Sequence, residues 1–520
     1  MANNQRKPYD TLDPIRALWT YQTSGGGAPP APTGLVATPG DDEVALTWTP
    51  VTGATYKVKR SDVPGGPYTV IATPAAANHT DNTVDNGFTY YYVVVAVAGG
   101  FDSPDSSEVS AIPNIALLKD DGMQAVGFTV PLTTTVDVSG GGAALQTAIN
   151  AAASGTRLRI TDSLAYDPIT FTSKTDIGVW VAAGETPSIT ATPGSGGHCV
   201  TIGAGSSGIY LKGLAFIGSA NENNLSQQSN GLVWGYNGFS GMATFDRLIV
   251  EDCTFSEPAP ATSGVPGIQL GGTNGSVHQD VWVHRCTFQN QAAGVNATTF
   301  GYGACTIAGF TNVFVQNCKI IRTNAVIARA SSHMRGVVCK SINVWVENVL
   351  CEDIGSAGSN EAFKHNDEAI FGTAVGVSNW RNNVAYNCKR GYRLSLAAAT
   401  MNVIGDVFHN DVAGIAASQV IARRDQGTYL FRNSIIAGAG DGTAFSATGV
   451  TEDHNDIFSV AAPGKTLDVT DLLVDPQFFD VSSRNFDAQD TQVRTQGSDG
   501  GPMGVRYALA GEDIIWAVAS

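Results

Sequence analysis

The residues best equipped for chemistry crowd into one stretch, SNEAFKHNDEAIFGTAVGVSNWRNNVAYNCKRGYRLSL (359–396), which holds Glu361, Lys364, His365, Asp367, Glu368, Arg390 and Arg393. Carboxylates beside basic groups could act as acid and base in elimination from a uronic acid, and they could hold Ca²⁺. They could equally be solvated loop charge. Lys364, His365, Asp367, Glu368 and Arg393 are the catalytic candidates, with none committed to the role and no metal ligand assigned.

A repeat must position these groups. VEDCTFSE, VHRCTFQN and VQNCKIIR carry Cys253, Cys286 and Cys318 in the same place, at steps of 33 (286 − 253) and 32 (318 − 286) residues. A fixed period of this size predicts a stacked solenoid in which each repeat buries its apolar face against its neighbours. Aligned on Cys286, the equivalent positions are Leu214, Cys253, Cys318, Val349, Val384, Val407, Ser434 and Asp456. One residue earlier, Asn317, Asn348, Asn383, Asn433 and Asn455 recur, where stacked amides could bond to their copies above and below. Alternation puts Val281, Val283, Cys286 and Phe288 inside, with Val313, Val315, Cys318 and Ile320. The cysteines are thus expected to be buried reduced thiols, since the eight show neither CxxC nor zinc-like Cys/His spacing.

The same alignment predicts a second column facing outward. Trp282, Phe314, Trp345 and Trp380 stand four residues before successive reference positions, giving an aromatic stripe about 15 Å long at about 4.8 Å per coil. Monomers seldom leave such a patch bare. A loop or the chain's own tail could cover it, a neighbouring subunit could bury it, or sugar rings could stack on it.

Composition fits an ordered globular protein of more than one domain: 520 residues, 43% hydrophobic and 15% charged. The net charge of −16 argues against a nucleic-acid or anionic-lipid partner, but not against a neutral glycan. No apolar run is long enough to insert into a membrane, and the first residues lack the apolar core of a signal peptide. Residues 1–28 read as a disordered end or as an arm that orders on docking to an assembly. Residues 29–113 give about seven short strands. With Trp48 and Tyr90 at the buried-tryptophan and tyrosine-corner positions, this segment resembles a fibronectin type III domain.

After an entry segment, 114–142, the phrase GGGAALQTAINAAASGTRLRI places Leu145, Ala148, Ile149 and Ala152 on one helical face, stops at Gly155 and begins a strand at Leu158. This capping helix resembles the start of a pectate-lyase-like right-handed parallel β-helix, and residues 143–520 are assigned to that fold, with about twelve coils. The C-terminal stretch from Leu472 to Tyr507 resembles the terminating coils of such proteins. The charged coil is similar to that of alginate and chondroitin lyases: Asn366, Glu368 and Ile370 match an N-x-E-x-I phrase, and Asn382, Asn383 and Gly391 fit the family pattern beyond it. The family's catalytic lysine would fall at Thr373 and its Arg-His pair at Ser395 and Leu396, so the base is missing unless Lys364 or Arg393 has taken over.

The expected class is therefore all-β, a fibronectin type III sandwich followed by a parallel β-helix. Resemblance to phage tailspikes implies a homotrimer with glycan grooves along its coils; with no export signal, a possible docking arm and the lyase residues missing, the expected protein is a virion surface tailspike or head or tail decoration fibre, docked to other virion proteins by its N-terminal region and meeting host-surface carbohydrate without catalysis. The alternative is a polysaccharide lyase or hydrolase acting on an acidic glycan.

Overall fold

The computed structural model describes residues 27–113 and 130–503 with breaks, the longest at 219–231, 290–303 and 322–335; residues 1–26, 114–129 and 504–520 lie outside it. The chain divides into two units, Met1–Pro131 and Leu132–Ser520.

The first unit is an antiparallel sandwich. One sheet pairs Val36–Gly40, Glu43–Thr47 and Asn78–Asp81. The other pairs Thr69–Ala72, Thr55–Ser61 and Tyr90–Ala98, the last also bonded to Phe101–Asp102 and Val109–Ala111. Trp48 is buried between them, edge-on to Tyr56 at 5.1 Å, as a sandwich core tryptophan should be. Tyr90 is buried too, with the Arg60 guanidinium 5.2 Å above its ring.

The second unit is a parallel β-helix. Each coil contributes three strands, as Asp246–Glu251, Thr254–Ser256 and Ile268–Gly272 do for one of them. First strands stack into a twelve-stranded parallel sheet, the long-strand face, and second and third strands into a twenty-stranded sheet of two further faces. The capping helix is present at Ala144–Ala151, with Leu145 and Ile149 buried and Ala148 and Ala152 packed against the same core. Gly155 follows at φ 81°, a conformation that favours glycine, and the strand Thr156–Ile160 begins at once.

A left-handed residue turns the chain between the first and second strands of successive coils: Gly213, Asp252, Arg285, Asn317, Asn348, Asn382, Gly405, Asn433 and His454 all have φ between 48° and 75°. Asparagine is among the few side chains that tolerate this region. The next residue points inward, and there the expected register holds only for part of the chain. Cys253, Cys286, Cys318 and Val349 occupy the inward site, and all eight cysteines are buried with none in a disulfide.

In the next coil Leu350 pairs with Val384, then Val384 with Val407, and Ile435 with Asp456. Asn383, Asp406, Ser434 and Asn455 therefore fill the inward site, one residue earlier than expected in all but Ser434. Val384 and Val407 are indeed buried, but outside the helix interior. With Leu350, Tyr386, Ile435 and Ala437 they form a second apolar cluster on the outer side of the second face, covered by Val493 and Met503 of the C-terminal segment. That segment is pinned by a reciprocal pair: Asn433 Nδ2 donates to Ser498 Oγ at 2.8 Å, and Ser498 N–H donates to Asn433 Oδ1 at 2.7 Å.

Candidate functional site

The charged coil folds as a strand, Phe363–His365, on the third face. Alternation splits the candidates. Phe363 and His365 point inward, His365 in register with the core residues Cys339 and Leu394. Its Nδ1 lies 2.8 Å from Ser378 Oγ, and burial, with Lys340 nearby, lowers its pKa to about 4. A neutral imidazole sealed in the core cannot reach a substrate laid along the outside.

Lys364 points the other way. It stands in register with Val338 before it and Arg393 after it, and Arg393 with Arg423, so three cations occupy successive rungs on the outside of this face. Lys364 is 2% exposed, whereas Arg393 and Arg423 are half-buried. Glu361, Asp367 and Glu368, the carboxylates that would hold Ca²⁺, lie outside the described residues, as do Asn366, Ile370, Thr373, Ser395 and Leu396.

The aromatic stripe is corrected in two respects. Trp282, Phe314 and Trp345 do stack on the outer side of the long-strand face, with ring centroids 5.3 and 4.8 Å apart. Trp282 and Phe314 are completely buried there, however, and only Trp345 is partly exposed, so the row is covered rather than bare. Trp380 leaves the row altogether. It pairs with Val346, not Trp345, and so points inward against Phe363, 5.5 Å away, while Asn379 takes the place beside Trp345. The one-residue shift that puts Asn383 inside moves Trp380 with it, because a strand's side chains alternate as a set.

Sequence reading missed a polar column beside this row. Lys212, Glu251, His284, Gln316, Glu347 and Arg381 follow one another in register along the long-strand face. Glu251, wholly buried, accepts from the Tyr210 hydroxyl and from Arg285 Nη2 at 2.7 Å, and has His284 Nδ1 at 3.3 Å and Lys212 Nζ at 3.7 Å. Trp282 Nε1 donates to Gln316 Oε1 at 2.7 Å, and Gln316 Nε2 to Glu347 Oε2 at 2.8 Å. Burial pushes the Glu347 carboxyl up, against the hydrogen bond from Gln316 and the charge of Arg381. Acids and bases are matched within the column, which satisfies buried polar groups. The signal for it was the residue two after each outward aromatic.

No family model matches the chain. It is 39% identical over 126 residues to an amylopullulanase of Thermoanaerobacterium saccharolyticum, covering 23% of this chain and 10% of that protein. It is 42% identical over 89 residues to one of Thermoanaerobacter thermohydrosulfuricus, covering 16% and 6%. The chain thus spans a tenth or less of the length of these curated relatives. Among solved structures, an Fn3-like protein from Clostridium thermocellum is 41% identical, with 18% of this chain and 100% of that chain covered and a TM-score of 0.16. The N-terminal unit, two antiparallel sheets packed around Trp48, is a fibronectin type III-like sandwich.

Proposed function

We propose that the chain is a non-catalytic surface protein of the tailspike or virion-fibre kind, which presents its β-helix to host-surface carbohydrate. In this reading residues 1–28 dock to other virion proteins, the fibronectin type III-like domain is a spacer, and the chain assembles as a homotrimer. The observation that carries the non-catalytic part is the split of the charged coil, with His365 sealed inside and Lys364 almost wholly covered. A general acid and base must both reach the substrate. The curated relatives are by name amylopullulanases, which supports a carbohydrate setting for the segment shared with them.

A second reading, a lyase acting on an acidic glycan, is favoured by the outward column of Lys364, Arg393 and Arg423, which would suit a carboxylated sugar chain. One experiment separates the two. Purified protein is incubated with alginate, pectin, glycosaminoglycans and bacterial capsule while unsaturated products, reducing ends and binding are followed. Binding without turnover, weakened by Trp345→Ala, is the expected result. Turnover abolished by Lys364→Ala overturns it in favour of the lyase.

A further inference from the structure

The interior of the last coils contains a carboxyl group that no surface role accounts for. Asp406 follows the left-handed Gly405 and is wholly buried in the inward column. Asn383 N–H donates to its Oδ1 at 2.8 Å, and Asn383 Nδ2 reaches Oδ1 at 3.4 Å and Oδ2 at 3.2 Å. Its own N–H donates to Ser434 Oγ at 3.1 Å in the following coil. Two tyrosines complete its surroundings, Tyr392 from the third face and Tyr429 from the long-strand face, both fully buried and neither hydroxyl with a well-formed hydrogen bond. Among the described residues, the cation acting on Asp406 is Arg381, half-buried on the outer side of its strand.

We propose that Asp406 is an internal proton-binding site that makes the closure of coils 377–456 depend on pH. With the proton on, the carboxyl donates to a tyrosine hydroxyl that otherwise lacks a partner, and the core holds no net charge. With the proton lost to solvent, a carboxylate stands wholly buried with Arg381 on the outer side of its strand as the cation among the described residues, and the coils around it open more readily.

The electrostatics agree with this geometry. Burial raises the Asp406 pKa from 3.8 to about 7, against the hydrogen bonds from Asn383 and, less strongly, the nearby Tyr392 hydroxyl and the charge of Arg381. A carboxyl whose folded pKa is raised contributes its full stability below its ordinary value, loses it between about pH 4 and 7, and contributes none above. Across that window the opening constant rises by up to about tenfold per pH unit. The neighbouring groups stay silent there: burial pushes Tyr392 and Tyr429 well above their ordinary range, and His365 is already neutral above about pH 4.

Hydrogen exchange of the full-length chain at pH 5 and pH 7, corrected for intrinsic rates, tests the proposal. Amides of 400–435 are expected to open up to about a hundredfold more often at pH 7 in the wild-type protein. In Asp406→Asn, which keeps the acceptor oxygen and removes the proton site, the two rates are expected to agree within about threefold. A wild-type protein without the difference, or a variant that keeps it, overturns the proposal. Should the variant fail to fold, infrared spectra of wild-type protein carrying ¹³C-carboxyl aspartate decide: one protonated carboxyl band titrating near neutrality supports the site, and its absence at pH 5 overturns it.

Discussion

Two stretches of one column, the inward residue after each coil's first turn, solve the same packing problem with opposite chemistry. Cys253, Cys286 and Cys318 fill it with thiols that make weak bonds to carbonyl oxygens, two residues earlier at 3.1, 3.3 and 3.2 Å and more loosely to Leu211, Val250 and Val283 at 3.7, 3.4 and 3.7 Å. Asn383, Asp406, Ser434 and Asn455 fill it with groups that accept from the backbone of the preceding coil. Val349 N–H donates to Asn383 Oδ1, Asn383 N–H to Asp406 Oδ1, Asp406 N–H to Ser434 Oγ, Ser434 N–H to Asn455 Oδ1 and Asn455 N–H to Asp471 Oδ1, all at 2.8–3.1 Å. The thiol stretch is held by burial and by strand ladders, with weak thiol bonds from Cys286 and Cys318 to the coil before. In the polar stretch a side-chain relay runs along the axis, and removing one member strands two others.

The largest effect expected from breaking this contrast is Asn383→Ala. It leaves the Val349 N–H without its acceptor and the Asp406 carboxyl without its amide donor, and should cost about 3–5 kcal/mol in the β-helix transition on urea unfolding. Cys286→Ser tests the dry side. A hydroxyl in an apolar column should cost about 1–3 kcal/mol by the same measurement, and a neutral result would mean that this stretch too is polar. All eight thiols should resist a water-soluble disulfide reagent in the native protein and react after unfolding, because burial pushes those of Cys253, Cys286, Cys305 and Cys351 well above the ordinary range. The smallest change sharpens the turn that both stretches share. Asn348→Ala should cost about 1–2 kcal/mol for a left-handed alanine. Asn348→Gly should cost less, and its remaining deficit reports the amide bond from Asn348 Nδ2 to Asn317 Oδ1 at 3.0 Å.

How much of this was legible depends on what each residue packs against. The capping helix, the thiol column and the sandwich follow from local period and parity, and there the expected faces of Leu145, Cys286 and Trp48 are the observed ones. The expected register failed at Val384, Val407 and Asp456. An apolar residue after a turn reads as core, and here the apolar residues face a second core whose other side is supplied by Val493 and Met503, more than a hundred positions later than Val384. Alternation within Phe363, Lys364 and His365 was a usable signal that His365 points inward, hidden by the charge around it. The burial of Trp282 and Phe314 had no local signal, because it depends on what covers the strand rather than on the strand.

The outer cluster on the second face also sets an order of events in synthesis. Val384, Val407 and Ile435 can wind into their coils as soon as they leave the ribosome, but their outer sides stay wet until Val493 and Met503 are made, 58 (493 − 435) to 119 (503 − 384) residues later. At about 5–20 residues per second that interval is roughly 3–24 seconds. During it a nascent chain carries a strip of bare aliphatic surface on its newest rungs, the period when a chaperone has something to hold and when two neighbouring chains on one message are most apt to stick.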